Sequence, residues 1–144
     1  MKHILIADDY PITTSLISRA TQSQGHAVHF AYDVMQAVMT VSRSRLDLVI
    51  VDVKMPGGNG LDVVRRMKIS NRTGPIPIIV ISGTMDAETR RKAIAMGADV
   101  CLQKPLDFER LQETVNLLLK GQPAAYAAPR PKPNRNVEVC YHGA

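Results

Sequence analysis

Tryptophan is absent, and aromatic residues make up only 4% of the chain. Eighteen lysines and arginines against 13 acids leave a formal charge of +5. These basic residues are dispersed rather than gathered with aromatics, which argues against a nucleic-acid-binding surface. Residues 121–144 hold Arg130, Lys132 and Arg135 against Glu138, so +2 of the charge lies there and +3 in the rest. Cysteine occurs twice, at Cys101 and Cys140. No disulfide framework follows, and both thiols are expected reduced. No run approaches the ~20 apolar residues needed to span a bilayer, and the opening MKHILIADDY reaches two aspartates too early for a signal peptide. A cytoplasmic protein is expected, with no membrane contact and no direct DNA binding.

What is present suits one domain with an appendage. The 144 residues are 45% apolar and 22% charged, enough to bury a core without staples. The organising stretch is Leu48 to Gly60, LVIVDVKMPGGNG. A short apolar run bounded by turn residues reads as a strand buried on both faces of a parallel sheet. Asp52 ends that strand, at the rim where open α/β sheets bind ligands.

The chain in order gives a strand at Lys2–Ala7 ending in Asp8 and Asp9, then a helix from about Ile12 to Gln24, with Pro11 in its first turn and Gly25 as its stop. Ala27–Ala31 reads as an edge strand, and Asp33 as the N-cap of a helix to about Ser44. After the Leu48 strand come a helix from about Leu61 to Ile69, a loop, and a strand at Ile78–Ile81 running into Ser82-Gly83-Thr84. Asp86 caps the next helix, which Gly97 ends. Val100–Gln103 is the fifth strand, leading to Lys104-Pro105, and Asp107 caps a last helix to about Lys120. Five strand-helix alternations predict a single α/β domain, a doubly wound five-stranded parallel sheet with right-handed crossovers. Residues 1–120 form the domain. Residues 121–144 begin with four prolines in QPAAYAAPRPKPN and are expected to be an extended, solvated tail. Val137–Tyr141 alternates apolar and polar residues; a frayed terminus is expected there in preference to an added strand.

Every strand tip of such a sheet lies on one rim, so Asp8, Asp9, Asp52, Ser82 and Lys104 can converge. Taken singly, each has a structural explanation: the acids cap helices or turns, Ser82 and Gly83 turn the chain, and Lys104 is a solvated surface charge. Together, the carboxylates repel unless a cation joins them. A hard divalent ion suits the set, with Asp9 and Asp52 as direct ligands, Asp8 acting through water, and a backbone carbonyl just past Asp52.

With those residues in place, the chain resembles the receiver (CheY-like) domain of two-component response regulators. The matching pieces are Asp8-Asp9, the block DVKMPGGNG from Asp52 to Gly60, Ser82-Gly83 and Lys104-Pro105, over about residues 2–120. The flavodoxin-like strand order 2-1-3-4-5 is taken from that resemblance. It implies Asp52 as phosphoacceptor, magnesium (or manganese in its place) held by Asp8, Asp9, Asp52 and the Lys54 carbonyl, and Ser82, Gly83 and Lys104 as the phosphoryl-binding and switch residues. It also implies a cis peptide before Pro105, a phosphohistidine donor on a sensor histidine kinase or histidine phosphotransfer protein, and an unnamed downstream protein bound at the surface of the fourth helix and fifth strand.

Four positions depart from the family pattern or tune it. Cys101 replaces the usual aromatic three residues before Lys104, so the aromatic half of the switch is missing, and Cys101 is expected to be a small buried apolar residue. Lys54 and Thr84 occupy positions whose side chains, in the family this chain resembles, flank the path of water to the acyl phosphate; the resemblance implies that they tune its lifetime, or that Lys54 contacts the phosphoryl group. Val34 stands where a glycine often follows the capping aspartate. Arg90, Arg91 and Lys92 read first as a solvated helix face and secondly as a site for an acidic target.

The resulting expectation is a phosphoacceptor signalling protein rather than an enzyme. The stretch after Gly121 is too short for an output domain, though a piece of a larger regulator would look the same. Two alternatives are a magnesium-dependent phosphatase or phosphotransferase working through an aspartyl-phosphate, and a degenerate receiver acting only as a binding module.

Overall fold

The computed structural model describes residues 1–121 and the backbone of residues 137–139. Strands β1 (His3–Ala7), β2 (Ala27–Ala31), β3 (Leu48–Asp52), β6 (Ile78–Ser82) and β7 (Val100–Gln103) form the parallel sheet. Between them run helices α1 (Pro11–Gln22), α2 (Val34–Arg43), α3 (Gly60–Ile69) and α4 (Ala87–Met96), and α5 (Phe108–Leu119) follows β7. The order is β2-β1-β3-β6-β7, the doubly wound arrangement, and all four of these pairings are parallel.

The apolar runs dictate this layering. Successive strand side chains point to opposite faces, and each face meets its own helices. Ile4, Ile6, Leu48, Ile50, Ile79 and Ile81 pack with Ile17, Leu111 and Val115 of α1 and α5. Leu5, Val49, Val51, Ile78 and Val80 pack with Val41, Val64 and Met67 of α2 and α3. A fully buried Ile or Leu contributes about 1.5–3 kcal/mol, so the two cores fix the register of the central strands. Helix α4 is anchored less: Ala93 is its one fully buried residue. Elements with few buried apolar contacts are the ones that move most readily.

Caps follow the sequence. Asp33, Asn59, Asp86 and Asp107 each accept a backbone N–H of the helix they begin. At the sheet's opposite end, Asp47 and Asp99 accept the N–H groups of His3 and Ile78 at 2.8 Å, pinning the starts of β1 and β6.

Three features differ from the sequence reading. The break after Asp52 forms a two-residue hairpin, β4 (Lys54–Met55) against β5 (Gly58–Asn59), turning through Gly57 and Gly58 at φ of 82° and 148°. Secondly, Val137–Val139 is not frayed. It forms β8, a sixth, antiparallel strand on the outer edge of β7, with Val100 opposite Val139 and Leu102 opposite Val137. The unpaired edge of β7 offers hydrogen-bonding groups that an alternating segment satisfies. Thirdly, Cys101 is buried as expected but is not a free thiol: it is disulfide-bonded. The pairing of β8 with β7 is a contact that spacing along the chain does not reveal. Cys140, Tyr141 and the proline-rich stretch 122–136 lie outside the described residues.

Candidate functional site

The strand tips bring the acids together because β1 and β3 are neighbours at the centre of the sheet. Ala7 is in register with Val51, so Asp8 and Asp52 emerge side by side. Both are buried, whereas Asp9, one residue further along the turn into α1, is exposed. Carboxylate oxygens of Asp8, Asp9 and Asp52 lie within 4.8 Å of one another.

Lys104 reaches into this group from the far side. It directly follows β7, which pairs with β6, and its N–H donates to the Ser82 carbonyl at 2.9 Å. The Lys104 ammonium lies 2.9 Å from Asp52 Oδ2 and 2.9 Å from Asp8 Oδ2, and 5.8 Å above the Tyr10 ring. The Lys104–Pro105 peptide bond is cis.

The electrostatics follow from burial. Burial pushes the Asp52 carboxyl above its usual range; the Lys104 hydrogen bond pulls it down and the Asp8 charge adds to the push. Burial also opposes the charge on Lys104, but its hydrogen bond to Asp52 and the nearby Asp8 carboxylate outweigh this and hold the ammonium above its ordinary value. Three carboxylates against one ammonium leave two negative charges at the rim.

That residual charge fits a divalent cation. Asp8 Oδ1 is taken by the Tyr10 N–H at 2.8 Å. Its buried Oδ2 makes no well-aligned hydrogen bond, and Lys104 reaches it only as an ion pair. Asp52 Oδ1 receives only a long contact, 3.4 Å, from the Lys54 N–H. Two under-satisfied carboxylate oxygens, one of them buried, beside an exposed third carboxylate make an all-oxygen donor set suited to a hard ion.

Strand β6 pairs with β3 in a register that sets Ile81 opposite Asp52, so Ser82 follows at the same rim. Ser82, buried at the tip of β6, donates its hydroxyl to the Thr84 carbonyl at 2.9 Å and accepts the Thr84 N–H at 3.1 Å. Gly83 and Thr84 are exposed, as is Lys54. Cys101 points to the α2–α3–α4 face, among the residues packed around Val80 and Met85. Val34 has a contact that its sequence position did not suggest: its N–H donates to the Pro56 carbonyl at 3.1 Å, which ties the start of α2 to the loop after Asp52.

Sequence reasoning missed an apolar groove beside the acids. Tyr10, Ile12, Leu16, Pro105 and Leu106 line a cavity of about 370 Å³ that includes Lys104. Tyr10 and Ile12 are 52% and 69% exposed. The signal was present, an aromatic and a β-branched residue flanking Pro11 directly after the acid pair, but periodicity alone assigns Ile12 to a helix without saying that it faces water. A second cavity, about 290 Å³ between α2 and α3, is lined by Val38, Val41, Val63 and Ile69 and lies away from the acids.

Comparison with known proteins agrees with this geometry. A family model described as the response regulator receiver domain matches residues 4–116. The sensor protein EvgS of Escherichia coli is 35% identical over 115 residues, covering 80% of this chain and 9% of that protein. Protein PilH of Pseudomonas aeruginosa is 34% identical over 122 residues, covering 84% of this chain and 100% of PilH. The chain thus spans a small part of the first relative and the whole of the second. Among solved structures, the chemotaxis response regulator CheY4 of Vibrio cholerae superposes with a TM-score of 0.76 at 27% identity, over 82% of this chain and 98% of that one.

Proposed function

We propose a function from one premise: this chain belongs to the response regulator receiver domain family, the phosphoacceptor module of two-component signalling. Asp52 is the phosphoacceptor. A carboxylate oxygen of Asp52 attacks the phosphorus of a phosphohistidine on a sensor kinase or histidine phosphotransfer protein. The new P–O bond gives an acyl phosphate as the P–N bond breaks, and the released imidazole keeps the electron pair and takes its proton from solvent.

The observation that carries this reading is the Lys104 ammonium held 2.9 Å from both Asp8 and Asp52. A cation already shared between two carboxylates costs no reorganisation when the negative charge moves from the Asp52 oxygens to a phosphoryl group one bond further out. Magnesium would be held by Asp9, Asp52 and the Lys54 carbonyl, with Asp8 acting through water; bound there, it supplies charge neutralisation between the carboxylates and the incoming phosphoryl group.

The apolar groove of Tyr10, Ile12, Leu16 and Leu106 supports docking of the donor. It opens beside Lys104, so a partner helix carrying a phosphohistidine could bury its apolar side chains there while the histidine reaches Asp52. Output follows from Ser82. To donate to a phosphoryl group, its hydroxyl must leave the Thr84 carbonyl, which shifts the loop entering the loosely anchored α4. The Cys101 position supplies no aromatic rotamer to that switch. Strand β8 occupies the outer edge of β7, so a partner at the α4–β7 surface engages α4 or displaces β8.

Intact-mass measurement tests the proposal. The protein incubated with magnesium and acetyl phosphate should gain one acid-labile phosphoryl group, and Asp52→Asn should gain none. Steady hydrolysis of external phosphoesters would instead identify a phosphatase, and no gain with any donor a binding module.

A further inference from the structure

Eight large apolar side chains are exposed among the described residues, and four of them lie together: Phe30 (40% exposed), Tyr32 (51%), Met35 (69%) and Met39 (39%). The Phe30 and Tyr32 rings stack with centroids 6.3 Å apart and planes within 1°. Met35 and Met39 are one helical turn apart on α2, on the same side. Phe30, Met39 and Thr40 line a cavity of about 360 Å³ whose one charged wall is Arg43. Stacked aromatics beside methionines are the composition of adaptable binding surfaces, not of solvated ones.

Two further facts define what fits there. β2 is the terminal strand of the sheet, paired with β1 on one side only, whereas β8 covers the opposite edge. Among the described residues nothing pairs with the outer side of Ala27–Ala31, whose outward backbone groups can accept another strand. Arg43, in turn, forms no ion pair among the described residues, and no acid lines its cavity. A second copy of the chain would bring a formal charge of +5 and another Arg43 to the same place, which disfavours self-association.

We propose that the β2 edge and the adjoining face of α2 are a docking surface for an extended protein segment in which large apolar side chains alternate with carboxylates. The segment adds as a strand to β2, places its apolar side chains against Phe30, Tyr32 and Met39, and pairs a carboxylate with Arg43. The surface is also linked to the site: α2 begins at Val34, whose N–H is bound to Pro56 in the loop following Asp52. The binding itself does not depend on phosphorylation; only a dependence of affinity on the state of Asp52 would rest on the phosphoacceptor reading.

The test uses the unphosphorylated protein and two synthetic ten-residue peptides, one alternating leucine and valine with glutamate, the other with lysine, followed by amide NMR titration. The glutamate peptide should shift the resonances of Ala27–Ala31 and α2, and the lysine peptide should not. Arg43→Glu should weaken the glutamate peptide at least tenfold and bind the lysine peptide instead; Met39→Ser should weaken it with unchanged charge. Both variants should still gain a phosphoryl group from acetyl phosphate, which separates this surface from the Asp52 chemistry. Equal binding of the two peptides, no shifts at millimolar peptide, or insensitivity to Arg43→Glu overturns the proposal. So does a concentration-dependent dimer in sedimentation that Met39→Ser abolishes, which would assign the patch to a second copy.

Discussion

Ser82 and Thr84 hold one another twice, the Ser82 hydroxyl donating to the Thr84 carbonyl at 2.9 Å while it accepts the Thr84 N–H at 3.1 Å. The hydroxyl that would serve a phosphoryl group is thus engaged in its own loop. Ser82→Ala removes both bonds, at a cost of about 1 kcal/mol. The variant should still gain a phosphoryl group by mass. Amide shifts on phosphorylation across residues 83–96 should shrink, and shifts equal to wild type would show that Ser82 does not transmit the change.

Lys104→Gln leaves Asp8 and Asp52 buried without a cation. Removing one partner of a buried ion pair costs about 3–5 kcal/mol, and the 19% exposure of the Lys104 side chain favours the lower end. Urea unfolding at pH 7 should show that loss. It should shrink towards pH 4 as the Asp52 carboxyl, already raised by burial, protonates; a loss independent of pH would point to packing instead.

The Asp52 carboxyl is raised above its ordinary 3.8 by burial. A raised group contributes stability that is fully present below its unfolded value and lost as pH rises through the folded one. In EDTA, Asp52→Asn should therefore match the wild type below about pH 3.8 and exceed it at neutral pH. A gain of about 1 kcal/mol would appear as roughly 3–6 °C in Tm. A gap that is constant with pH contradicts the electrostatic account.

Magnesium should stabilise the native state by mass action. At 100 times Kd, the gain is about 2.7 kcal/mol, visible as a rise in Tm that EDTA reverses. Asp9→Asn should reduce the rise severalfold while leaving the metal-free Tm close to wild type, because Asp9 is exposed. An undiminished rise would place the ion elsewhere.

Gly60 packs so closely on the Asp52 backbone carbonyl that a Cβ there would overlap it, while its N–H donates to the Val53 carbonyl at 2.7 Å. Gly60→Ala must shift backbone rather than a flexible side chain. The expected loss is 3 kcal/mol or more, with slower phosphorylation of whatever folds. Denaturant unfolding with m unchanged and a loss under about 1 kcal/mol would refute the close approach.

The elements were readable because each was bounded by local chemistry. Apolar runs of four or five residues, rich in β-branched side chains and bounded by turn residues, are too short for helices and read as strands buried on two faces, and Asp33, Asp86 and Asp107 mark helix starts by capping. The candidate site was readable from Asp8, Asp9, Asp52, Ser82 and Lys104 because a parallel sheet puts all strand ends on one rim. Where a signal was weak or ambiguous, the reading failed. Val137–Val139 alternates like a strand, but nothing nearby says whether it finds an edge. Cys101 has the composition of a core residue, and its bond is invisible to spacing. Val34 had no evident role until Pro56 was seen to accept its N–H.

The succession of strands and helices along the chain, the caps and the charged residues that end each strand are consequences of local sequence, since propensity, capping and apolar periodicity act within a few residues. Tertiary structure alone decided that one ammonium stands between two buried carboxylates, that the Ser82 hydroxyl is held by its own loop, that β8 closes one edge while β2 stays open, and that four large apolar side chains gather beside that open edge. Those outcomes depend on which distant segments share a surface, and no interaction confined to neighbouring residues encodes it.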